Sequence, residues 1–441
     1  MGLKMGKQIN LDASLAVIAS ELRSGGWPLL DYLAALQQRF DEREPEVLAF
    51  VPENGRFPRI FQQAQQLLDQ YPNPAERPSL FGIPLGVKDI FQVDGFITQA
   101  GSQLPADILQ GKEAPSVTAL RQAGVLVLGK TVTTEFAYFA PGATRNPHNP
   151  AHTPGGSSSG SAAAVGAGLT PLTFGTQTIG SINRPAAFCG TVGYKPTYSR
   201  IDKSGVLPLS ASLDHVGCFT TDVDGMELAA SLLCQHWQLV VTEKKPVLGI
   251  PEGPYLQRAS DEGRRHFRQI CRWLHDAGFI VKSVAAMPDF EAIAARHNLI
   301  VAAEAARFHA DWFAIHEEKY HWKTAELIQR GLTIRDRQLK KAVAGRVALR
   351  EALMQLMNKH SLDLWLSPSA PGVAPAGLDS TGDPVMNLPW THAGLPTLTL
   401  PSGKNSAGLP LGLQLTGRWF GDEAMLSFAT QLEPILGFAT G

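Results

Sequence analysis

Cysteine is scarce in this sequence of 441 residues, which contains only four, and none of them forms a C-x-x-C pair. The sequence therefore indicates neither a disulfide framework nor a zinc site built from paired cysteines, and free thiols in a reducing compartment are expected. Long apolar runs are also missing, since no segment approaches the roughly 18 consecutive apolar residues of a membrane-spanning helix. Residues 1–22 carry charged and polar groups where a secretion signal needs an uninterrupted apolar stretch. The cytoplasm is the expected location, and no membrane partner is expected.

An excess of charge of one sign is lacking as well. The 39 basic and 40 acidic residues are interspersed, the formal net charge is −1, and charged residues make up only 18% of the chain. No basic patch is predicted, so nucleic acid is not expected as a partner. The hydrophobic fraction of 44% is that of a globular protein with a sizeable core.

The order of the apolar patterns predicts alternating helices and strands. Between residues 12 and 40, leucine and isoleucine recur at intervals of three and four, which predicts two amphipathic helices separated by a Gly-Gly pair. Short apolar stretches at 80–91 and 125–129, bounded by Gly and Pro, predict buried strands with a helix at 117–123 between them. This alternation favours an α/β sheet covered by helices.

The second half of the chain has a more helical pattern. Within residues 242–360, helices are predicted at 261–277, 289–314 and 334–360. No linker or internal repeat interrupts the sequence, so residues 1–441 are interpreted as one domain.

Two residues have settings that suit nucleophilic catalysis. Ser181 directly follows Gly180 in a predicted tight turn, so several backbone N–H groups could point toward the same position as its hydroxyl, as an oxyanion hole requires. Lys88 lies in an apolar stretch, and burial lowers the pKa of a lysine toward the neutral form that can accept a proton. Spacing and periodicity alone do not pair these two residues.

Four segments resemble the amidase signature family of serine hydrolases, in the same order and with similar separations. They are Phe81–Phe91, Gly155–Ser161, Gly175–Thr197 and Ala393–Gly417. The resemblance implies a single α/β domain with a mixed sheet of about eleven strands covered by helices on both faces. It also implies that residues 75–220 form the signature core with the catalytic residues, whereas residues 242–360 form a variable region that shapes the substrate mouth.

The resemblance implies a Ser-Ser-Lys triad. Ser181 falls on the nucleophile, Lys88 on the general base, and Ser157 on the bridging serine, which typically follows a cis peptide bond. The implied oxyanion donors are the backbone amides of Thr178, Ile179, Gly180 and Ser181. A carboxamide C–N bond would then be cleaved through an acyl-enzyme, without a metal or an organic cofactor. The expected partner is a small-molecule amide substrate, and a homodimer is compatible with the sequence.

The sequence departs from the family pattern around the nucleophile. Gln177 stands where an aspartate is common, and Asn183 stands where an arginine is common. Because both members of a presumed ion pair are replaced by neutral amides, we expect a hydrogen bond between them that buries no charge. Arg184 is an alternative substitute for the missing arginine. Phe136 and Trp390 are predicted candidates for the substrate pocket.

Other interpretations of the polar loop fit less well. Residues 156–160 also match the G-x-S-x-G nucleophile elbow, with Ser158 as the nucleophile, but that motif should directly follow an apolar strand and here it follows a polar loop. His148 and His152 have the spacing of a zinc-binding pair, but prolines break the helix that such a pair needs. Asp214 is interpreted as a turn residue.

Three functions are compatible with these features. The first is a stand-alone amidase that acts on a small or moderately apolar carboxamide. The second is the glutaminase component of a tRNA-dependent amidotransferase, its A subunit, which would need partner subunits and charged groups that hold glutamine. No clear acidic recognition pattern of that kind appears around residues 383–391. The third is a non-catalytic binding protein on the same scaffold, and the retention of all three triad residues argues against it.

Overall fold

Apolar stretches punctuated by Gly and Pro form a ten-stranded mixed sheet in the computed structural model, which describes residues 8–437. In chain order the strands are β1 (Pro84–Lys88), β2 (Leu126–Thr131), β3 (Leu172–Gln177), β4 (Val192–Lys195), β5 (His215–Thr220), β6 (Val247–Glu252), β7 (Ile280–Ala285), β8 (Leu364–Pro368), β9 (Thr397–Lys404) and β10 (Pro410–Thr416). Across the sheet their order is β2-β1-β3-β5-β4-β9-β10-β8-β6-β7. The pairings at both ends of the sheet are parallel, and those from β3 across to β8 are antiparallel.

Helices flank this sheet. They are α1 (Leu15–Ser24), α2 (Leu29–Val47), α3 (Arg56–Gln70), α4 (Pro115–Gln122), α5 (Ser159–Gly166), α6 (Asn183–Cys189), α7 (Val223–Leu233), α8 (Asp261–Asp276), α9 (Phe290–His316), α10 (Trp322–Leu332), α11 (Asp336–His360), α12 (Leu388–Ala393) and α13 (Asp422–Gly437). Among residues 8–437, none of the helices combines the length and the apolar character that crossing a membrane requires.

The predicted fold class is confirmed, because a single mixed sheet with a strand number close to eleven is flanked by helices. The two N-terminal helices are confirmed as well. Ser14 begins α1 by accepting a hydrogen bond from the Val17 amide at 3.1 Å, and Gly25 ends it in the left-handed region with φ 76°. The Gly-Gly pair separates the two helices for this reason.

Residues 242–360 contribute more than helices. They include β6 and β7, which extend the sheet beyond β8, and α10, and none of these three elements was predicted. β7 is an edge strand in which Val284 alone is buried, so its side chains lack the alternation that marks a half-buried strand.

The pairing of β1 with β3 brings distant segments to one edge of the sheet. The two strands are parallel, with Val87 opposite Phe174, so their carboxyl ends lie side by side. Lys88 ends β1, and the turn that leads to Ser181 follows β3. β5 runs antiparallel to β3 and begins at the same edge, which brings Asp214 there. Ligands in such sheets commonly bind outside the carboxyl ends of the strands.

Candidate active site

Lys88 is the last residue of β1 and is completely buried. Its Nζ forms hydrogen bonds with Ser157 Oγ and Thr176 Oγ1, each at 2.8 Å. Burial lowers the pKa of Lys88 well below its ordinary value, and the Asp214 carboxylate opposes part of that change. A lysine in this setting can be neutral and can accept a proton.

Ser157 lies in the loop before α5, and the Gly156–Ser157 peptide bond is cis, as the resemblance implies. The backbone carbonyl of Ser157 accepts a hydrogen bond from the Thr134 amide at 3.2 Å. Within residues 8–437, no hydrogen bond joins Ser157 to Ser181. The structure therefore brings Lys88 and Ser157 together, and the link to the nucleophile stays a prediction.

Ser181 lies in the tight turn between β3 and α6. A glycine is needed before it, because a Cβ atom at Gly180 would lie 2.3 Å from Asn387 Oδ1. In the described part of the chain, the backbone amides of Ile179, Gly180 and Ser181 donate no hydrogen bond. Unoccupied donors in such a turn can stabilise the negative charge of a tetrahedral intermediate.

Gln177 and Asn183 are joined by a hydrogen bond from Gln177 Nε2 to Asn183 Oδ1 at 2.9 Å. Gln177 Oε1 also accepts hydrogen bonds from the backbone amides of Ile182 and Asn183 at 2.8 and 3.0 Å. A further hydrogen bond runs from Gln177 Nε2 to Thr391 Oγ1 at 2.9 Å. The hydrogen bond expected from the paired replacement is present, and these two positions hold the turn between β3 and α6 without buried charge.

Replacing Gln177 by leucine should lower the free energy of unfolding by about 3 kcal/mol, because it leaves the buried amides of Ile182 and Asn183 without an acceptor. Urea denaturation followed by tryptophan fluorescence would measure the change. Gln65→Leu, at an exposed glutamine of α3, is the matched control and should alter stability by less than about 0.5 kcal/mol. Equal stability of wild type and Gln177→Leu would contradict the bracing role.

Arg184 does not substitute for the missing arginine, and that alternative is wrong. Successive residues of a helix point about 100° apart, so Arg184 leaves α6 on a different side from Asn183. Its guanidinium donates hydrogen bonds to Gly156 O at 2.5 Å, Gly382 O at 2.7 Å and Thr381 Oγ1 at 3.1 Å. Arg184 therefore ties the loop with the cis peptide bond to a second loop at 381–382.

Phe136 and Trp390 belong to the core, which corrects the prediction that they line a substrate pocket. Phe136 is 2% exposed and packs against the rings of His309 and Tyr320, with centroid distances of 4.5 and 5.6 Å. Trp390 is completely buried, and its Nε1 donates a hydrogen bond to Tyr255 Oη at 2.8 Å.

Ser158 is not an exposed nucleophile, so the G-x-S-x-G interpretation is wrong. Its side chain is completely buried, and its hydroxyl hydrogen-bonds both the carbonyl and the amide of Thr176 at 3.2 Å. His148 and His152 each hydrogen-bond a backbone carbonyl at 2.9 Å. In the range 8–437, no three His, Cys, Asp or Glu residues are grouped so that they could hold a metal ion.

Two residues were not predicted from the sequence to belong to the site, although Asp214 does fix a turn as expected. Thr176 is the second hydrogen-bond partner of Lys88. Asp214 accepts a hydrogen bond from Thr178 Oγ1 at 2.5 Å, and its other oxygen accepts hydrogen bonds from two backbone amides at 2.9 and 3.0 Å. Burial raises the pKa of Asp214 to about 6 despite these bonds. The only signal for its role was a carboxylate placed directly before an apolar strand.

Replacing Asp214 by asparagine should lower kcat/KM about tenfold for the carboxamide cleavage that the resemblance implies. The substitution removes the charge-assisted hydrogen bond that holds Thr178, and such a bond contributes roughly 1.5–3 kcal/mol. Steady-state kinetics would measure the change, with Asp202→Asn at the nearby loop as the control. Lower stability combined with an unchanged kcat/KM would assign Asp214 a structural role only.

A cavity of about 210 Å³ adjoins these residues. Thr176, Thr178 and Asp214 are among the residues that line it, and Lys203 contributes a positive charge. The lining is otherwise largely apolar and includes Ile90, Val206, Leu207, Leu209 and Val216. A concave space with few polar groups beside residues of perturbed pKa is where a substrate is expected to bind.

Known proteins share this architecture over almost the whole chain. The model of the Amidase family matches residues 31–426. The chain is 30% identical to the A subunit of the glutamyl-tRNA(Gln) amidotransferase of Geobacter metallireducens, with 92% of this chain and 93% of that protein covered. A crystal structure of an amidase is similar with a TM-score of 0.86 and 30% identity, and the match covers 97% of this chain and 100% of that one. The native peptide amidase from Stenotrophomonas maltophilia is similar with a TM-score of 0.81 and 25% identity over 96% of both chains. The chain therefore belongs to the amidase family, the family of the amidase signature enzymes.

Proposed function

We propose that the chain hydrolyses a carboxamide C–N bond through an acyl-enzyme, with Ser181 as the nucleophile, Ser157 as the bridge and Lys88 as the base. Neutral Lys88 takes the proton of Ser157 while Ser157 takes that of Ser181, and Ser181 Oγ attacks the carbonyl carbon. The backbone amides of residues 178–181 stabilise the negative charge on the carbonyl oxygen. Ser157 then donates a proton to the leaving nitrogen and regains one from Lys88. Water, activated through the same relay, attacks the acyl-enzyme and releases the acid.

The buried hydrogen bond between Lys88 and Ser157 is the observation that carries this proposal. Among the residues from 8 to 437, Lys88 contacts two hydroxyl groups and forms no ion pair. An unpaired ammonium is costly in a buried site, so the neutral amine is favoured. A neutral amine that is one hydrogen bond away from a serine is the start of the relay that the mechanism needs.

Labelling with a fluorophosphonate tests whether the proposed nucleophile is activated. The serine oxygen attacks phosphorus and fluoride departs, which leaves a covalent adduct that peptide mass spectrometry can locate. We expect the adduct on Ser181. A protein that neither forms an adduct nor turns over any carboxamide would instead be a non-catalytic binding protein.

The curated relatives favour a second candidate function, the glutaminase component of an amidotransferase. The relative from Geobacter metallireducens is the A subunit of the glutamyl-tRNA(Gln) amidotransferase. In that function the chain would release ammonia from glutamine and would require partner subunits. Ammonia release measured with glutamine and with short aliphatic and aryl carboxamides separates the two candidates. Turnover of glutamine alone, increased by partner subunits, would replace the first candidate by the second.

We also propose that residues 242–360 shape the substrate mouth. Glu304 of α9 accepts hydrogen bonds from Ser210 Oγ at 2.6 Å, from the Ser212 amide at 2.9 Å and from the Ser212 hydroxyl. These serines lie in the same loop as the cavity residues Leu209 and Asp214. Through Glu304, α9 therefore holds part of the cavity wall.

A further inference from the structure

A lysine in the cavity beside the proposed catalytic residues has one N–H donor that no group within residues 8–437 accepts. Lys203 lines the cavity and is half-buried. Its Nζ donates hydrogen bonds to Tyr198 Oη at 3.0 Å and to the Ala211 carbonyl, and it lies 4.5 Å from the centre of the Tyr198 ring. An ammonium group has three N–H donors, and these bonds occupy two of them. One donor remains for a ligand.

Within residues 8–437, no carboxylate accepts a hydrogen bond from that donor. Lys203 takes part in no ion pair within the described range 8–437. Asp214 also lines the cavity, but its oxygens already accept hydrogen bonds from the Thr178 hydroxyl and from two backbone amides. The charges of Asp214 and Lys203 still interact, since Lys203 opposes the rise in the pKa of Asp214, but no hydrogen bond joins the two side chains within residues 8–437 and Lys203 retains one free donor.

The cavity connects Lys203 with residues that contact the proposed catalytic groups. Thr176 forms part of the same cavity and hydrogen-bonds Lys88, and Thr178 belongs to the proposed oxyanion turn. Most of the other residues that line the cavity are apolar. A volume of about 210 Å³ corresponds to roughly seven water-sized groups, which is enough for a short aliphatic chain and one polar end group. A substrate whose far end occupies this cavity would contact Lys203.

We propose that Lys203 is a specificity-determining residue that binds a carboxylate on the substrate, so the preferred substrates are mono-amides of short dicarboxylic acids. This inference rests on the proposed amidase function. The apolar residues of the lining contact the methylene groups of such a substrate, and the ammonium of Lys203 binds the distal carboxylate by a charge-assisted hydrogen bond. Tyr198 holds the ammonium in place through the hydrogen bond and the ring contact.

Matched pairs of amides test this assignment. For the wild type we expect kcat/KM at least about tenfold higher for adipamate than for hexanamide, which have the same chain length and differ in the distal carboxylate. Lys203→Met should reduce the rate with adipamate about tenfold and leave that with hexanamide within about twofold. Lys203→Arg should keep most of the preference, because the charge is retained. Lys340→Met, at an exposed lysine of α11, is the control and should behave as the wild type does.

The outcomes separate this inference from the proposed function. The role of Lys203 would be overturned if the wild type hydrolysed both amides at equal rates, or if Lys203→Met lost both rates equally. In either case, fluorophosphonate labelling of Ser181 would still support the proposed amidase function. Thermal unfolding of each variant would show whether an equal loss results from a damaged fold around Tyr198, and in that case Lys203→Gln repeats the comparison. No turnover of either amide and no labelling of Ser181 would overturn both proposals.

Discussion

Replacing Ser181 by alanine should lower kcat for amide hydrolysis by about 10⁴-fold or more, because the group that forms the acyl-enzyme is removed. Stability should change little, since the residue is 8% exposed and its hydroxyl forms no hydrogen bond within residues 8–437. Ammonia release from a panel of carboxamides would measure the loss, and thermal unfolding would confirm that the fold is intact.

Ser158→Ala is the informative control for this experiment. It removes the hydroxyl that the nucleophile-elbow interpretation would use, and it also removes two hydrogen bonds to Thr176. We expect this variant to be less stable but still labelled at Ser181 by a fluorophosphonate. An adduct at any other serine, or activity that survives in Ser181→Ala, would contradict the proposed nucleophile.

Replacing Lys88 by methionine should lower kcat by about 10³-fold, the middle of the range for loss of a positioned general base. It should also change the pH dependence. Burial lowers the pKa of Lys88, so the fraction of neutral amine rises with pH through that lowered pKa, and the wild-type rate should rise with it. Lys88→Met has no amine to deprotonate, so the rise of the rate with pH, the acid limb of the pH profile, should disappear. Rate measurements from about pH 5 to 9 would show it.

Lys130→Met serves as the matched control for a buried lysine. Lys130 lies in β2 and forms an ion pair with Asp89 at 2.8 Å, so its removal leaves a buried carboxylate unpaired. That variant should lose stability while the acid limb of its remaining activity stays in place. An acid limb that persists in Lys88→Met would instead point to Asp214, the pKa of which burial raises to about 6.

The sequence predicted the elements that carry strong periodic patterns or sharp boundaries. α1 has both, because buried side chains recur along one face and Ser14 and Gly25 mark its ends. β7 has neither, and an edge strand with little burial leaves no alternation to detect. The general outline of the fold therefore follows from local patterns, whereas the elements at the far edge of the sheet depend on pairing with distant strands.

At the site, residues that belong to one contiguous motif could be predicted from the sequence. Residues that other strands and helices bring to the site could not. The hydrogen bond between Gln177 and Asn183 was predicted because these two neutral amides replace both members of a charged pair. Thr391 of α12 and Asp214 before β5 reach the same turn from other elements, and only the tertiary structure brings them there. Arg184 was misjudged because neighbours in sequence point to different sides of a helix.

The hydrogen bonds from Ser210 and Ser212 to Glu304 connect α9 with the substrate cavity and not with the proposed catalytic groups. Lys88, Ser157 and Ser181 lie on β1 and on segments around β3, whereas the loop at 209–214 is held in part by Glu304 of α9. Mild heating or a low concentration of denaturant that loosens α9 would therefore weaken substrate binding before it disturbs the chemical groups. Inactivation would begin as a rising KM with an almost constant kcat, and selectivity among amides would decay before turnover does.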